Sequence, residues 1–129
     1  MAATQHGLGE LELEILKAMW ESPGRTVQEV AGEFGRQRGC ARTTVLTVMQ
    51  RLHRKGFLKR RKVEGVYRFW PTHGRGKVIS GLIRQFVENV LDGSPAPFLA
   101  YLADAKNLND QQAEQLRRIV EALEDREGR

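Results

Sequence analysis

One cysteine, four prolines and no long apolar run narrow what this 129-residue chain can be. Cys40 stands alone, so neither an intrachain disulfide nor a cysteine-cage zinc site can form, and a free thiol fits a reducing compartment. No stretch approaches the ~20 consecutive apolar residues of a membrane span. Met1 to Gly9 shows no cationic lead, apolar run or cleavage site of a secretory leader. A soluble, cytoplasmic protein without membrane insertion is the expectation. His6, His53 and His73 lack metal-ligand spacing, and no nucleophile stands beside a base. The acids fall in the outer thirds of the chain, on faces that read as solvated. The sequence therefore reads as no enzyme, with no catalytic residue, no metal and no cofactor.

The more telling scarcity is local. Between Arg36 and Lys77 there are thirteen Lys and Arg but one acid, Glu64. Residues 1–35 hold two basic and six acidic side chains, and residues 78–129 hold six and nine, so the overall charge of +5 conceals a strongly cationic centre. Charge this concentrated fits a polyanion, because neutralising several phosphates releases condensed counterions. A merely solvated basic face is the plainer reading, and the pattern of elements decides between them.

Leu8, Leu11, Ile15, Ala18 and Met19 recur at helical spacing until Ser22-Pro23-Gly24 ends the pattern. Thr26 and Glu29 form a capping box that opens a second helix to about Gln37, with Val27, Val30, Ala31 and Phe34 on its apolar face. After the Gly39 break, Val45, Val48, Met49 and Leu52 sit at i, i+3, i+4 and i+7 of a third helix that ends at Arg54-Lys55-Gly56. Phe57 to Val63 and Val66 to Trp70 then read as two strands around Glu64-Gly65, with the turn holding either two or four residues. From Arg75 to Leu91 apolar residues return at helical spacing, more than a lone surface helix needs. Ser94, followed by Pro95 and Pro97, reads as the N-cap of a short helix through Leu102, and Asn109 with Gln112 caps a final helix. The fold class is mainly α with a small β wing, divided into residues 1–74, a winged helix-turn-helix domain for DNA, and 75–129, a helical dimerisation segment. Ile79, Leu82, Ile83, Phe86, Val90, Leu102, Leu116, Ile119 and Leu123 are its expected interface.

At ~100° per residue, turning Val45, Val48, Met49 and Leu52 inward turns Thr43, Thr47, Gln50 and Arg54 outward, with Thr44 and Arg51 on the flanks. Arginine can fork onto guanine, glutamine onto adenine, and threonine can bond a base edge or meet a thymine methyl. A face built only for solubility would carry Glu and Lys pairs instead, because β-branched residues cost helix propensity. Lys59, Arg60, Arg61 and Lys62 occupy successive strand positions, so the pleat sends some of them toward phosphate in either register. Tyr67 and Phe69 share a strand face and are expected to pack the wing on a helix. The expected DNA-contacting set is Arg42, Thr43, Thr44, Thr47, Gln50, Arg51, Arg54, Lys59, Arg60, Arg61 and Lys62.

Leu8-Gly9-Glu10-Leu11-Glu12, Met19-Trp20, Arg42-Thr43-Thr44-Val45 through Arg51-Leu52, Lys55-Gly56-Phe57-Leu58 and Tyr67-Arg68-Phe69 together resemble the BlaI/MecI family of penicillinase repressors. The resemblance runs from about Leu8 to Leu123, including the break at Asp92-Gly93-Ser94. It implies a winged helix followed by a helical dimerisation segment, repression at a palindromic operator, and release by the protease of a membrane-bound sensor system. The family's recognition helix falls on Arg42 to Lys55, with Thr44 and Thr47 at matching threonines, and its wing on Leu58 to Trp70. Its scissile bond, Asn-Phe in staphylococcal members, falls on Tyr101-Leu102, a departure. Related copper-responsive repressors carry a C-terminal cysteine cluster that Cys40 cannot replace.

The leading expectation is a homodimeric repressor that selects operator DNA by sequence. An architectural nucleic-acid binder using the same charge without choosing a sequence is the alternative, and an adaptor whose wing meets an acidic protein is a third.

Overall fold

The computed structural model describes residues 7–127. Helices α1 (Glu10–Glu21), α2 (Val27–Arg38) and α3 (Arg42–Arg54) precede a hairpin of β1 (Leu58–Val63) and β2 (Val66–Pro71). Then follow α4 (Arg75–Asn89), α5 (Ala96–Ala103), a 3-10 turn at Ala105–Asn107 and α6 (Asp110–Glu127). This is the mainly helical, winged architecture the sequence leads one to expect. The chain forms two compact units, residues 1–85 and 86–129, and α4 runs across the division.

In the first unit the apolar stripes converge. Ile15, Leu16 and Met19 of α1, Val30 and Phe34 of α2, and Val45, Val48, Met49 and Leu52 of α3 enclose one core, closed below by Leu58 and Phe69 of the hairpin and Val78 of α4. The helix ends are satisfied as the sequence suggests. Thr26 Oγ1 accepts from Glu29 N at 3.1 Å while Thr26 N donates to the Glu29 carboxylate at 2.8 Å. At the end of α3, Phe57 N donates to Leu52 O at 2.9 Å, which closes the helix and keeps Phe57 out of the strand expected to include it.

The hairpin pairs Val63 with Val66 and Leu58 with Pro71, so the turn holds two residues. Glu64 and Gly65 have φ of 53° and 82°, the two positive values of a type I′ turn, whose twist matches that of the strands. A further pairing was not legible in the sequence. Gly24 N donates to Phe69 O at 2.8 Å and Phe69 N to Arg25 O at 3.0 Å, so the α1–α2 loop adds a one-residue third rung to the wing.

One local expectation needs correction. Pro95, not Ser94, is the N-cap of α5, and Ser94 Oγ is only at 3.4 Å from Ala96 N, because Pro95 itself adopts helical angles and pushes the serine outside. Leu82 of α4 is half-buried against the core of the first unit. Asn109 and Gln112 do cap α6 reciprocally, at 2.8 and 3.0 Å.

Candidate nucleic-acid interface

Burial sorts α3 as its periodicity requires. Val45, Val48, Met49 and Leu52 are buried, whereas Arg42, Thr43, Thr44, Thr47, Gln50, Arg51 and Arg54 are all exposed. Thr47 Oγ1 donates to Thr43 O at 2.9 Å, so its hydroxyl meets a ligand as an acceptor. The helix is held at both flanks. On one side His53 meets Phe69 edge to face, with ring centroids 6.5 Å apart. On the other, Lys55 Nζ reaches the Glu12 carboxylate at 2.9 and 3.0 Å and Gly7 O at 2.9 Å.

Glu12 corrects the reading of the acids as solvated, since it is only 4% exposed. Its carboxylate also accepts from Gly9 N at 2.7 Å, so it caps α1 while it anchors α3. Burial works to raise its pKa, but the hydrogen bonds from Gly9 and Lys55 and the charges of Lys55 and Arg51 outweigh burial and bring it below the ordinary value. The spacing of Glu12 within the Leu11–Ile15 stripe was the available signal, because it places a carboxylate at the rim of an apolar face opposite the cationic end of α3.

The wing cations Lys59, Arg60, Arg61 and Lys62 are exposed, and among the described residues none of them pairs with an acid. Three of them lie instead on aromatic faces. Arg60 stands 4.2 Å from the Tyr67 ring centroid, Lys62 at 5.4 Å from the same ring, and Arg61 at 5.1 Å from Trp70. The register explains the split, with Arg60, Lys62 and Tyr67 on one face and Arg61 and Trp70 on the other. The expectation that Tyr67 packs on a helix with Phe69 therefore fails for Tyr67. Phe69 is buried, but Tyr67, two residues nearer the tip, is 41% exposed and carries cations. Such stacking keeps guanidinium groups charged and extended without neutralising them.

Arg68 fixes the base of the wing, donating to Gly24 O at 2.8 Å and to Glu29 at 3.2 Å. The hydrogen bond from Thr26 N, with the charges of Arg68 and Arg25 adding to it, lowers the Glu29 pKa. An open groove of about 810 Å³ lies between α2, the start of α3 and the wing, with Arg36, Arg42, Tyr67 and Arg68 in its walls. Among the described residues there is no group of three or more His, Cys, Asp or Glu that could hold a metal, and no helix is long and apolar enough to cross a membrane.

A helix buried on one side and hydrogen-bonding on the other, beside a cationic hairpin, defines a winged-helix DNA-binding protein. Residues 8–122 match the family described as Penicillinase repressor, and the chain belongs to that family. It is similar to the transcriptional regulator BlaI of Mycobacterium tuberculosis (strain ATCC 25618 / H37Rv), 30% identical over 119 residues that cover 91% of this chain and 85% of that protein. It is also similar to the penicillinase repressor of Staphylococcus aureus, 22% identical over 93% of this chain and 95% of that one. Among solved structures, Bacillus licheniformis BlaI in monomeric form with the blaP half-operator aligns at 26% identity over 54% of this chain and 85% of that one, with a TM-score of 0.49. The chain is accordingly a DNA-binding transcriptional repressor rather than an enzyme.

Proposed function

We propose that the protein acts in the cytoplasm as a homodimer on a palindromic operator, with α3 reading bases in the major groove and the wing holding phosphates. Arg42, Thr43, Thr44, Thr47, Gln50, Arg51 and Arg54 are the reading set, and Lys59, Arg60, Arg61 and Lys62 the holding set. The observation that carries this is the exposed Thr, Gln and Arg face on a helix braced by Glu12–Lys55 and by His53–Phe69. Two-fold symmetry then sets the half-sites about one helical turn, or a multiple of it, apart.

The dimer reading rests on the second unit, where no described residue is buried. Among the described residues, eight of the thirteen exposed large apolar side chains belong to that unit, and Ile79 and Ile83 precede it on α4. A helical unit with no interior of its own gains one by pairing with a second copy. Ile79, Ile83, Phe86, Val90, Leu102, Leu116, Ile119 and Leu123 supply that surface, with Leu82 at its intrachain edge.

Release by a sensor-linked protease, the family's expected mode, falls at Tyr101-Leu102 in α5. Tyr101 O accepts from Asn107 Nδ2 at 2.9 Å there, so a protease that takes an extended chain must first unwind this turn. The test of the whole reading is competition. A site recovered by selection from a randomised duplex library should keep a preference of about a thousandfold over random DNA. An architectural binder would instead be competed away near stoichiometrically, and that result would reject site-specific repression.

A further inference from the structure

Leu46 breaks the chemistry of the face on which it lies. Around it α3 exposes threonine, glutamine and arginine, yet Leu46 is 39% exposed and is not among the side chains packed on the core. By angle it sits ~100° from the inward Val45 and ~40° from the outward Gln50, so it belongs to the edge of the outward stripe. The other exposed large apolar residues of the first unit lie elsewhere, Val66 and Tyr67 at the wing tip and Ile79 and Ile83 on α4. A lone exposed leucine on an ordinary surface calls for no explanation. One on the face that enters the major groove meets a floor whose single apolar group is the C5-methyl of thymine.

We propose that Leu46 is a specificity-determining residue that covers a thymine C5-methyl group in each half-site. This rests on α3 being the base-reading helix. Thr47 Oγ1 already donates to Thr43 O, and of the two exposed side chains one turn either side of Leu46, Arg42 suits guanine whereas Gln50 suits adenine. Side chains at i and i+4 have Cβ atoms about 5–6 Å apart, and base pairs rise ~3.4 Å per step. The thymine taken by Leu46 therefore lies within about two steps of the adenine taken by Gln50, and the pair together specify a short A·T-containing segment. No hydrogen bond from this helix edge is needed to reject cytosine or uracil, since both lack the methyl that Leu46 would shield from water.

The experiment uses the full chain and needs no variant for its first arm. A duplex is selected from a randomised library, and each thymine is then replaced in turn by deoxyuridine, which removes the methyl and nothing else. Wild-type protein should lose about fourfold in affinity at one position per half-site, the equivalent of ~0.8 kcal/mol for one buried methyl at 1.4 kcal/mol per tenfold. Leu46→Ala should bind thymine and uracil versions alike at that position, while Leu46→Met should keep the discrimination. Unchanged thermal melting of Leu46→Ala confirms that the exposed side chain does not support the fold. If uracil is neutral at every position, or if Leu46→Ala discriminates as well as wild type, the proposal is overturned while operator preference stands. If no preference over random duplex exists at all, the base-reading role of α3 falls with it.

Discussion

Glu12 and Lys55 stand 43 residues apart in sequence, yet their side chains meet through two hydrogen bonds of 2.9 and 3.0 Å that tie the first turn of α1 to the end of α3. The pair aims α3 as much as it stabilises the unit. Glu12→Gln keeps the shape and removes the charge, so Lys55 is left facing a neutral amide, and the first unit should lose about 2 kcal/mol, a value between a charged hydrogen bond and a fully buried ion pair because Lys55 is partly solvated. Urea unfolding measures it. The pH dependence has a definite sign: the folded-state pKa is depressed, so the wild-type advantage is complete above the ordinary value of 4.5 and disappears as pH falls through the lower folded value. Equal wild-type and Glu12→Gln midpoints at pH 7 would remove the anchor from this account.

At the wing tip the turn demands positive φ at both positions, and only one of them is glycine. Glu64 at 53° is a long acidic side chain in a conformation better suited to asparagine, and it is the lone acid among thirteen cations between Arg36 and Lys77. Glu64→Asn should therefore stabilise the protein by about 0.5 kcal/mol through the turn, and also tighten DNA binding for every sequence by removing a repelling charge. Gly65→Val, which forces a β-branched residue to 82°, should cost about 2 kcal/mol. Thermal melting of the two variants in opposite directions is the expected outcome.

Much of this was written in the periodicity of the chain. The inward set of α3 follows from four apolar residues at i, i+3, i+4 and i+7, and the Thr26–Glu29 and Asn109–Gln112 boxes follow from residue type and spacing alone. What escaped has no local signature. The rung between Arg25 and Phe69 joins a loop to a strand through backbone groups, which any residue carries. The burial of Glu12 depends on Lys55 arriving from another helix, and the exposure of Tyr67 on what packs over its face of the hairpin. Leu46 eluded the outward set because a two-way sorting of apolar and polar residues has no place for a leucine that faces solvent.

The wing cations and the α3 face should differ in how their removal registers. Arg61 is held over Trp70 and unpaired with any described acid, so Arg61→Ala should weaken operator and random duplex alike, by about fivefold per protomer at 0.15 M salt, and lower the salt slope by about one. Gln50→Ala should instead cost about 1–3 kcal/mol at particular base positions and leave random-sequence binding nearly unchanged. Titrations on both duplexes across a salt series separate the two. A Gln50→Ala variant that lost affinity for both duplexes equally would make Gln50 a phosphate contact or a structural residue.

Pairing can be broken without touching the core of the first unit. Val78 and Leu82 pack on the core of the first unit, whereas Ile83 and Phe86, further along α4, are exposed. Replacing Ile83 and Phe86 together by glutamate puts two charges of like sign from each copy into the proposed seam, where desolvation and repulsion both oppose association. Sedimentation should then show monomers, with the thermal transition of the first unit retained. Binding to a single half-site should stay within about twofold of wild type, while binding to the full palindrome should fall by about a hundredfold or more, since linkage of two modules supplies that much through effective concentration alone. A variant that still sediments as a dimer would move the seam away from this face of α4, and the half-site measurement would then show whether the reading head had been disturbed as well.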